Sequence, residues 1–227
     1  MSNQTFLLKS KWIAILNFIL HLVFARTSVI GKPDKHNKQA PRTLNNHKQM
    51  RNILTTIQDY EDKKTIELFK QFKSIDKQNY LTKAQLIEIL KWKSPRPLKH
   101  YLSNSENDVK KITALAFSTK DDEMKVHVLT ALSGVNIPAA SAILMFYNPK
   151  KFPVIDIRVW QQLHKAKLVD TNPKGQGFKL QEWRIYLNVI RGLAKDLKLT
   201  ARQIEKRLFD LDKNTRKGKL YTTKIIK

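Results

Sequence analysis

Residues 129–160, LTALSGVNIPAASAILMFYNPKKFPVIDIRVW, restrict the possible folds of this chain more than any other stretch. An amphipathic segment and an apolar one meet at Ser133-Gly134-Val135-Asn136, which must turn the chain sharply between two helices. Gly134 tolerates a positive φ, and Asn136 is the next residue type here that visits that region readily. Pro138 suits the first turn of the second helix, where its missing N–H costs little. A proline-marked loop then leads to Asp156, a residue type favoured at the position that opens a helix. The turn leaves backbone N–H groups at a helix N-terminus, which favour a phosphate oxygen through aligned dipoles and direct donors. Such a grip fixes register on a nucleic acid without reading its sequence. An ordinary helix–helix connection would use the same residues, so the turn alone leaves both readings open.

From residue 50 onward the pattern is helical almost throughout. Ile53, Ile57, Tyr60, Ile66, Phe69 and Phe72 recur near helical spacing over two adjoining segments. Thr82-Lys83-Ala84-Gln85 and Thr200-Ala201-Arg202-Gln203 are capping boxes, in which Thr and Gln side chains reciprocally satisfy free backbone N–H groups. The first opens a helix containing LIEILKWK, which ends before Pro95 because the residue preceding a proline avoids helical angles. The second opens a last helix running through Phe209. Ser105 to Asp108 starts a helix carrying Val109, Ile112, Leu115 and Phe117, and Asp121 to Leu132 forms the helix before the hairpin. Leu180 to Leu197 is a long amphipathic helix with Trp183, Tyr186, Leu187, Ile190 and Leu193 on one side. No strand, hairpin dipeptide or internal repeat stands out, so the expected fold is all-α, with roughly nine helices.

Lys plus Arg number 43 against 19 Asp plus Glu, a formal net charge of +24. Residues 50–227 alone keep 35 basic against 18 acidic residues, a net +17. Such an excess attracts polyanions, so nucleic acid is the first partner to consider, with anionic lipid as the alternative. The chain has no Cys, which removes disulfides, Cys-ligated zinc, Cys-ligated iron–sulfur clusters and thiol nucleophiles together. Its six His (His21, His36, His47, His100, His127 and His164) include no pair at metal-ligand spacing, and no metal or cofactor is expected.

Residues 1–49 differ in kind. Lys9 and Lys11 precede 14 uncharged residues, Trp12 to Ala25. That run is shorter than the roughly 20 residues of a comfortable membrane span, but it suits the apolar core of a signal peptide ending at Val23-Phe24-Ala25. Met50 would make a natural start for a soluble domain. The expected organisation is a dispensable or signal-like extension over 1–49, a helical domain over 50–210 and a basic tail over 211–227. A membrane-associated helix at 12–25 is a third reading of the extension.

Leu129, Leu132, Gly134 and Val135, then Ala139-Ala140-Ser141 and Ile143-Leu144, then Phe152-Pro153-Val154-Ile155-Asp156 and Arg158-Val159-Trp160 together resemble the helix-hairpin-helix DNA glycosylase superfamily. The likeness is to the 8-oxoguanine glycosylase branch above all. It is strong over 125–165, weaker over about 80–210, and does not reach residues 1–49. In that superfamily the hairpin reads roughly L-x-G-[VI]-G, and the catalytic Asp follows about twenty residues later in a P-V-D-x-x-[VM] setting. The resemblance implies an all-α helix-hairpin-helix glycosylase-like bundle, double-stranded DNA as partner, and base-excision repair inside the cell as the setting. No protein partner is implied. It puts the catalytic carboxylate on Asp156, to stabilise positive charge developing on the sugar and to orient a nucleophile. An N-cap role for Asp156 is compatible with that, because a capping Asp is held in a fixed orientation.

Two departures matter. Asn136 replaces the second hairpin glycine, and Pro138 stands where bifunctional members carry their Schiff-base lysine. The implied enzyme is therefore a monofunctional N-glycosylase that uses water, without lyase activity and without an iron–sulfur cluster. The alternative is a non-catalytic DNA-binding protein that keeps the fold. Backbone-contact candidates are Gly134, Val135, Asn136, Ile137, Ala139, Lys150, Lys151 and Arg158, with Lys91, Lys93, Arg96 and Lys99 as further basic candidates. Base-pocket candidates are Phe146, Phe152, Trp160 and Trp183, with Trp92, Tyr147 and Tyr186 behind them, since an extruded base needs aromatic or apolar walls.

Overall fold

The computed structural model describes residues 40–58, 60–218 and 220, and the architecture below is that of these residues. Trp12 to Ala25, the apolar run of the extension, lies outside the described residues. Among those that are described, every regular element is a helix.

The helices are α1 (Ala40–Thr55), α2 (Lys63–Gln71), α3 (Ile75–Gln78), α4 (Lys83–Lys93), α5 (Leu98–Leu102), α6 (Glu106–Ser118), α7 (Asp122–Leu129), α8 (Ile137–Tyr147), α9 (Ile157–Lys165), α10 (Leu180–Leu197) and α11 (Ala201–Thr215). Their starts follow the capping chemistry of the sequence. The side chains of Asp62, Thr82, Ser105, Asp121, Asn136, Asp156 and Thr200 each accept from a backbone N–H in the first turn of the helix they open. Both capping boxes close as expected. Ends are less legible. The helix before the hairpin stops at Leu129, short of Leu132, because Thr130 to Gly134 already turn. The last helix continues past Phe209 to Thr215, where Arg216 reaches back to Asp212. Helix α1 runs through residues 49 and 50 and buries Met50 and Leu54.

Helix α8 is the centre of the core. Every residue from Ala139 to Phe146 is buried, which is why this helix is apolar all round rather than on one stripe. It packs against α4 and α7, α6 packs on α7, and α11 packs on α9 and α10. Phe146 meets Phe69, Phe72 and Trp92 with ring centroids 5.0–5.7 Å apart. Burying one such side chain stabilises the fold by roughly 1.5–3 kcal/mol, so this cluster locks α2 and α4 onto α8.

The segment between α8 and α9 is pinned residue by residue. Ser141 Oγ donates to Pro138 O at 2.8 Å and accepts from Ile155 N at 3.0 Å. Tyr186 Oη donates to Val154 O at 2.7 Å, and Val154 N donates to Glu205. Lys150 O accepts from Ala201 N and Lys151 O from Arg191 Nε. Buried backbone polar groups are costly unless paired, so these bonds fix where Asp156 emerges.

Candidate active site beside the hairpin

The hairpin turn forms as its composition requires, but its residues divide the work differently from the sequence expectation. Gly134 sits at φ +80, and a Cβ built there would lie 2.8 Å from His100 Cβ and 2.9 Å from Tyr101 Cδ1. Glycine is needed twice over, for the left-handed backbone and for the close approach of α5. Asn136 does not take a positive φ: its backbone is extended, and its side chain caps α8 by accepting from Ala139 N at 3.1 Å.

Asn104, which nothing in the sequence singled out, holds the turn from behind. Its Oδ1 accepts from Ser133 N at 2.8 Å and its Nδ2 donates to Ser133 O at 3.1 Å. Val135 and Ala139 face the core, while Gly134 and Asn136 are exposed. Ser133, Val135 and Ala139 spend their N–H groups on Asn104, Leu132 and Asn136. Among the described residues, the N–H groups of Gly134, Asn136 and Ile137 have no acceptor and are the donors left at this helix N-terminus.

Asp156 opens α9. Its Oδ1 accepts from Arg158 N at 2.9 Å, and its Oδ2 accepts from Lys93 Nζ at 2.9 Å. The carboxylate is 22% exposed and Lys93 15%, so the pair is shielded but open on one side. Two cavities meet at this pair, both bordered by Lys93 and Asp156. One, of about 290 Å³, has Trp92, Phe209, Arg202 and Glu205 among its walls. The other, of about 470 Å³, opens past Arg96, Tyr101, Asn136, Pro138 and Phe178 toward the hairpin.

The smaller cavity rests on a buried ionic cluster. Arg202 pairs with Glu205 and, at 2.6 Å, with Glu61. Burial alone would lower the Arg202 pKa, but the two carboxylates more than offset that and hold the guanidinium charged. Burial pushes the Glu205 carboxyl up, against the pull of Arg202 and Lys93, and the nearby Asp156 charge pushes in the same direction. A fixed carboxylate and ammonium beside a half-enclosed space with aromatic walls can stabilise a developing cation and position a small nucleophile.

The remaining candidates are scattered. Phe146, Phe152, Trp160 and Trp183 are all buried, and none borders either cavity beside Asp156. Trp160 is occupied in donating Nε1 to Asn172 O at 2.8 Å. Tyr186 is buried and Tyr147 stacks on Phe117, whereas Trp92 does line the smaller cavity. Arg158 is engaged with the buried Asp212 at 3.0 Å and lies over the Phe209 ring. Lys150 and Lys151 are exposed on the loop after α8.

Some of this had a signal in the sequence. Arg202 and Glu205 stand three apart on one helix, a spacing that brings side chains together. The approach of Lys93 to Asp156, across 63 residues of sequence, had none. Among the described residues no group of three His, Cys, Asp or Glu is placed to hold a metal ion, and no helix is long and apolar enough to cross a membrane.

No protein-family model matches this chain, and no curated protein does. A solved structure, that of the Methanocaldococcus jannaschii 8-oxoguanine glycosylase/lyase in complex with a 15mer DNA containing 8-oxoguanine, is similar to 77% of this chain over 83% of its own. The sequence identity is 16% and the TM-score 0.44, and the likeness says nothing of activity or of site residues.

Proposed function

We propose that this chain is a monofunctional DNA N-glycosylase. Asp156 stabilises the positive charge that develops on the sugar as the base departs, and it orients the water that attacks. The observation that carries the reading is the position of this carboxylate, held by two hydrogen bonds at the junction of two cavities. Charge stabilisation of this kind is strongest where water is largely excluded and the charged group need not reorganise. Gly134, Asn136 and Ile137 offer their free N–H groups to a backbone phosphate, with Lys150 and Lys151 adding positive charge. Double-stranded DNA inside the cell is the partner, as the net charge of +24 favours.

The second reading is a DNA-binding protein without catalysis. The cap that Asp156 provides for α9 and its pair with Lys93 favour it, because together they give the carboxylate a structural use. Incubating the full chain with duplexes carrying a panel of damaged or modified bases, then cleaving abasic sites with alkali, separates the two. Product from any lesion supports the glycosylase. Tight, salt-sensitive binding with no product from any duplex supports the binding protein.

A further inference from the structure

A separate cavity lies at the far end of α8, roughly 15 Å along the helix axis from the hairpin. It has a volume of about 340 Å³ and is bordered by the end of α6, the start of α7 and the loop after α8. Lys120, Lys125 and Lys151 stand on its walls, with the hydroxyl of Thr119 and the amide of Asn148 between them. The rings of Phe117 and Tyr147, stacked with centroids 4.0 Å apart, form its apolar side. Among the described residues, Asp122 is the one acid on the lining, and Arg191 already holds it at 2.5 Å. The neighbouring acids Asp121 and Glu123 are turned to Met124 N and to Arg184.

Lys125 is the unusual member. It is only 7% exposed, and its Nζ donates to Ala116 O at 3.1 Å and Phe117 O at 2.9 Å, the last carbonyls of α6. An ammonium has three N–H donors, so one is left without an acceptor among the described residues. Burial, reinforced by Lys151, holds the Lys125 pKa below its ordinary value despite Asp122. A buried charge with an unused donor is costly unless something of opposite sign completes it. We propose that this cavity is an anion site distinct from the hairpin, and that it takes a phosphate group. Lys125 meets the phosphate from inside, and Lys120 and Lys151 meet it from the rim. The site stands whether or not Asp156 cleaves a glycosidic bond. Its phosphate has two sources, a stretch of DNA backbone beyond the hairpin or a free phosphomonoester.

Thermal unfolding of the full chain in rising inorganic phosphate, against chloride at matched ionic strength, tests this. A ligand that binds only the folded state raises Tm with its concentration, so phosphate is expected to do so and chloride is not. Lys120 is exposed at the rim, and K120A is expected to weaken the phosphate response about tenfold, the loss of one charge-assisted hydrogen bond. K125M is expected to abolish it. Because Lys125 also caps α6, K120A carries the test if K125M does not fold. Phosphate no more effective than chloride overturns the proposal, and so does an undiminished response in K120A. Duplex binding then separates the sources. If DNA backbone fills the site, K120A lowers the slope of log K against log salt by about 1. An unchanged slope alongside a weakened phosphate response assigns the site to a free phosphomonoester.

Discussion

Gly134→Ala tests the local physics of the hairpin, with Gly177→Ala as its control. Both glycines have a positive φ, +80 and +60, so each substitution costs about 1–2 kcal/mol for placing a Cβ in the left-handed region. They differ in their surroundings. A Cβ at 134 meets His100 Cβ at 2.8 Å and Tyr101 Cδ1 at 2.9 Å, whereas one at 177 meets nothing within 4 Å. His100 Cβ is tethered to its own backbone and cannot swing away, so α5 must shift. Overpacking of that kind adds roughly 1–3 kcal/mol. The expectation for G134A is thus about 2–5 kcal/mol of lost stability, out of a total near 5–15 kcal/mol for a domain of ordinary stability. Urea unfolding followed by circular dichroism reads both variants, with unchanged slopes validating the comparison. Equal losses for G134A and G177A would refute the claim that the approach of α5, rather than backbone conformation alone, demands glycine at 134.

Asn104→Ala leaves the N–H and C=O of Ser133 without their partner and is expected to cost about 1–3 kcal/mol, measured in the same way. Arg158→Ala removes one of three side chains bonded to the fully buried Asp212 while Arg216 and Gln162 remain, so a loss of about 1–3 kcal/mol follows. Because Arg158 is so engaged, R158A is expected to leave the salt dependence of DNA binding unchanged, whereas Lys150→Ala and Lys151→Ala each reduce the slope of log K against log salt by about 1. Burial would raise the Asp212 carboxyl, but hydrogen bonds from Arg216, Gln162 and Arg158 outweigh it and hold the group below its ordinary value. A depressed folded-state pKa means that its stabilisation is present above the unfolded value, about 3.9 for Asp, and is lost as pH falls through the folded one. Stability measured below that pH should decline, and Asp212→Asn should flatten the decline.

Local chemistry was the legible part of this chain. Thr82, Ser105, Asp121, Asp156 and Thr200 announce helix starts because a capping side chain acts within three residues of itself. Gly134 announces its turn for the same reason. Asn136 is of a residue type that suits both a left-handed turn and an N-cap, and the start of α8 decides for the cap. Aromatic side chains at helical spacing mark the face that a helix buries. Phe146, Trp160 and Trp183 accordingly sit inside, as does Phe152 on the α8–α9 connection, while Phe209, in the middle of α11 and partly buried, faces the cavity with Trp92. The pairs Lys93–Asp156 and Arg202–Glu61 join residues far apart in sequence, and only the packing of α4 and α11 around the α8–α9 connection brings them together.

Asp156→Asn addresses the central claim most directly. Asn is as good an N-cap as Asp, so the bond from Arg158 N is retained and the fold should persist. Only the negative charge and its pair with Lys93 are lost. The measurement is the single-turnover rate of base release by the full chain, on whichever damaged duplex the wild-type protein processes. The account predicts a fall of about 10²-fold or more with DNA affinity preserved. Base release at the wild-type rate by a folded, DNA-binding D156N would contradict it.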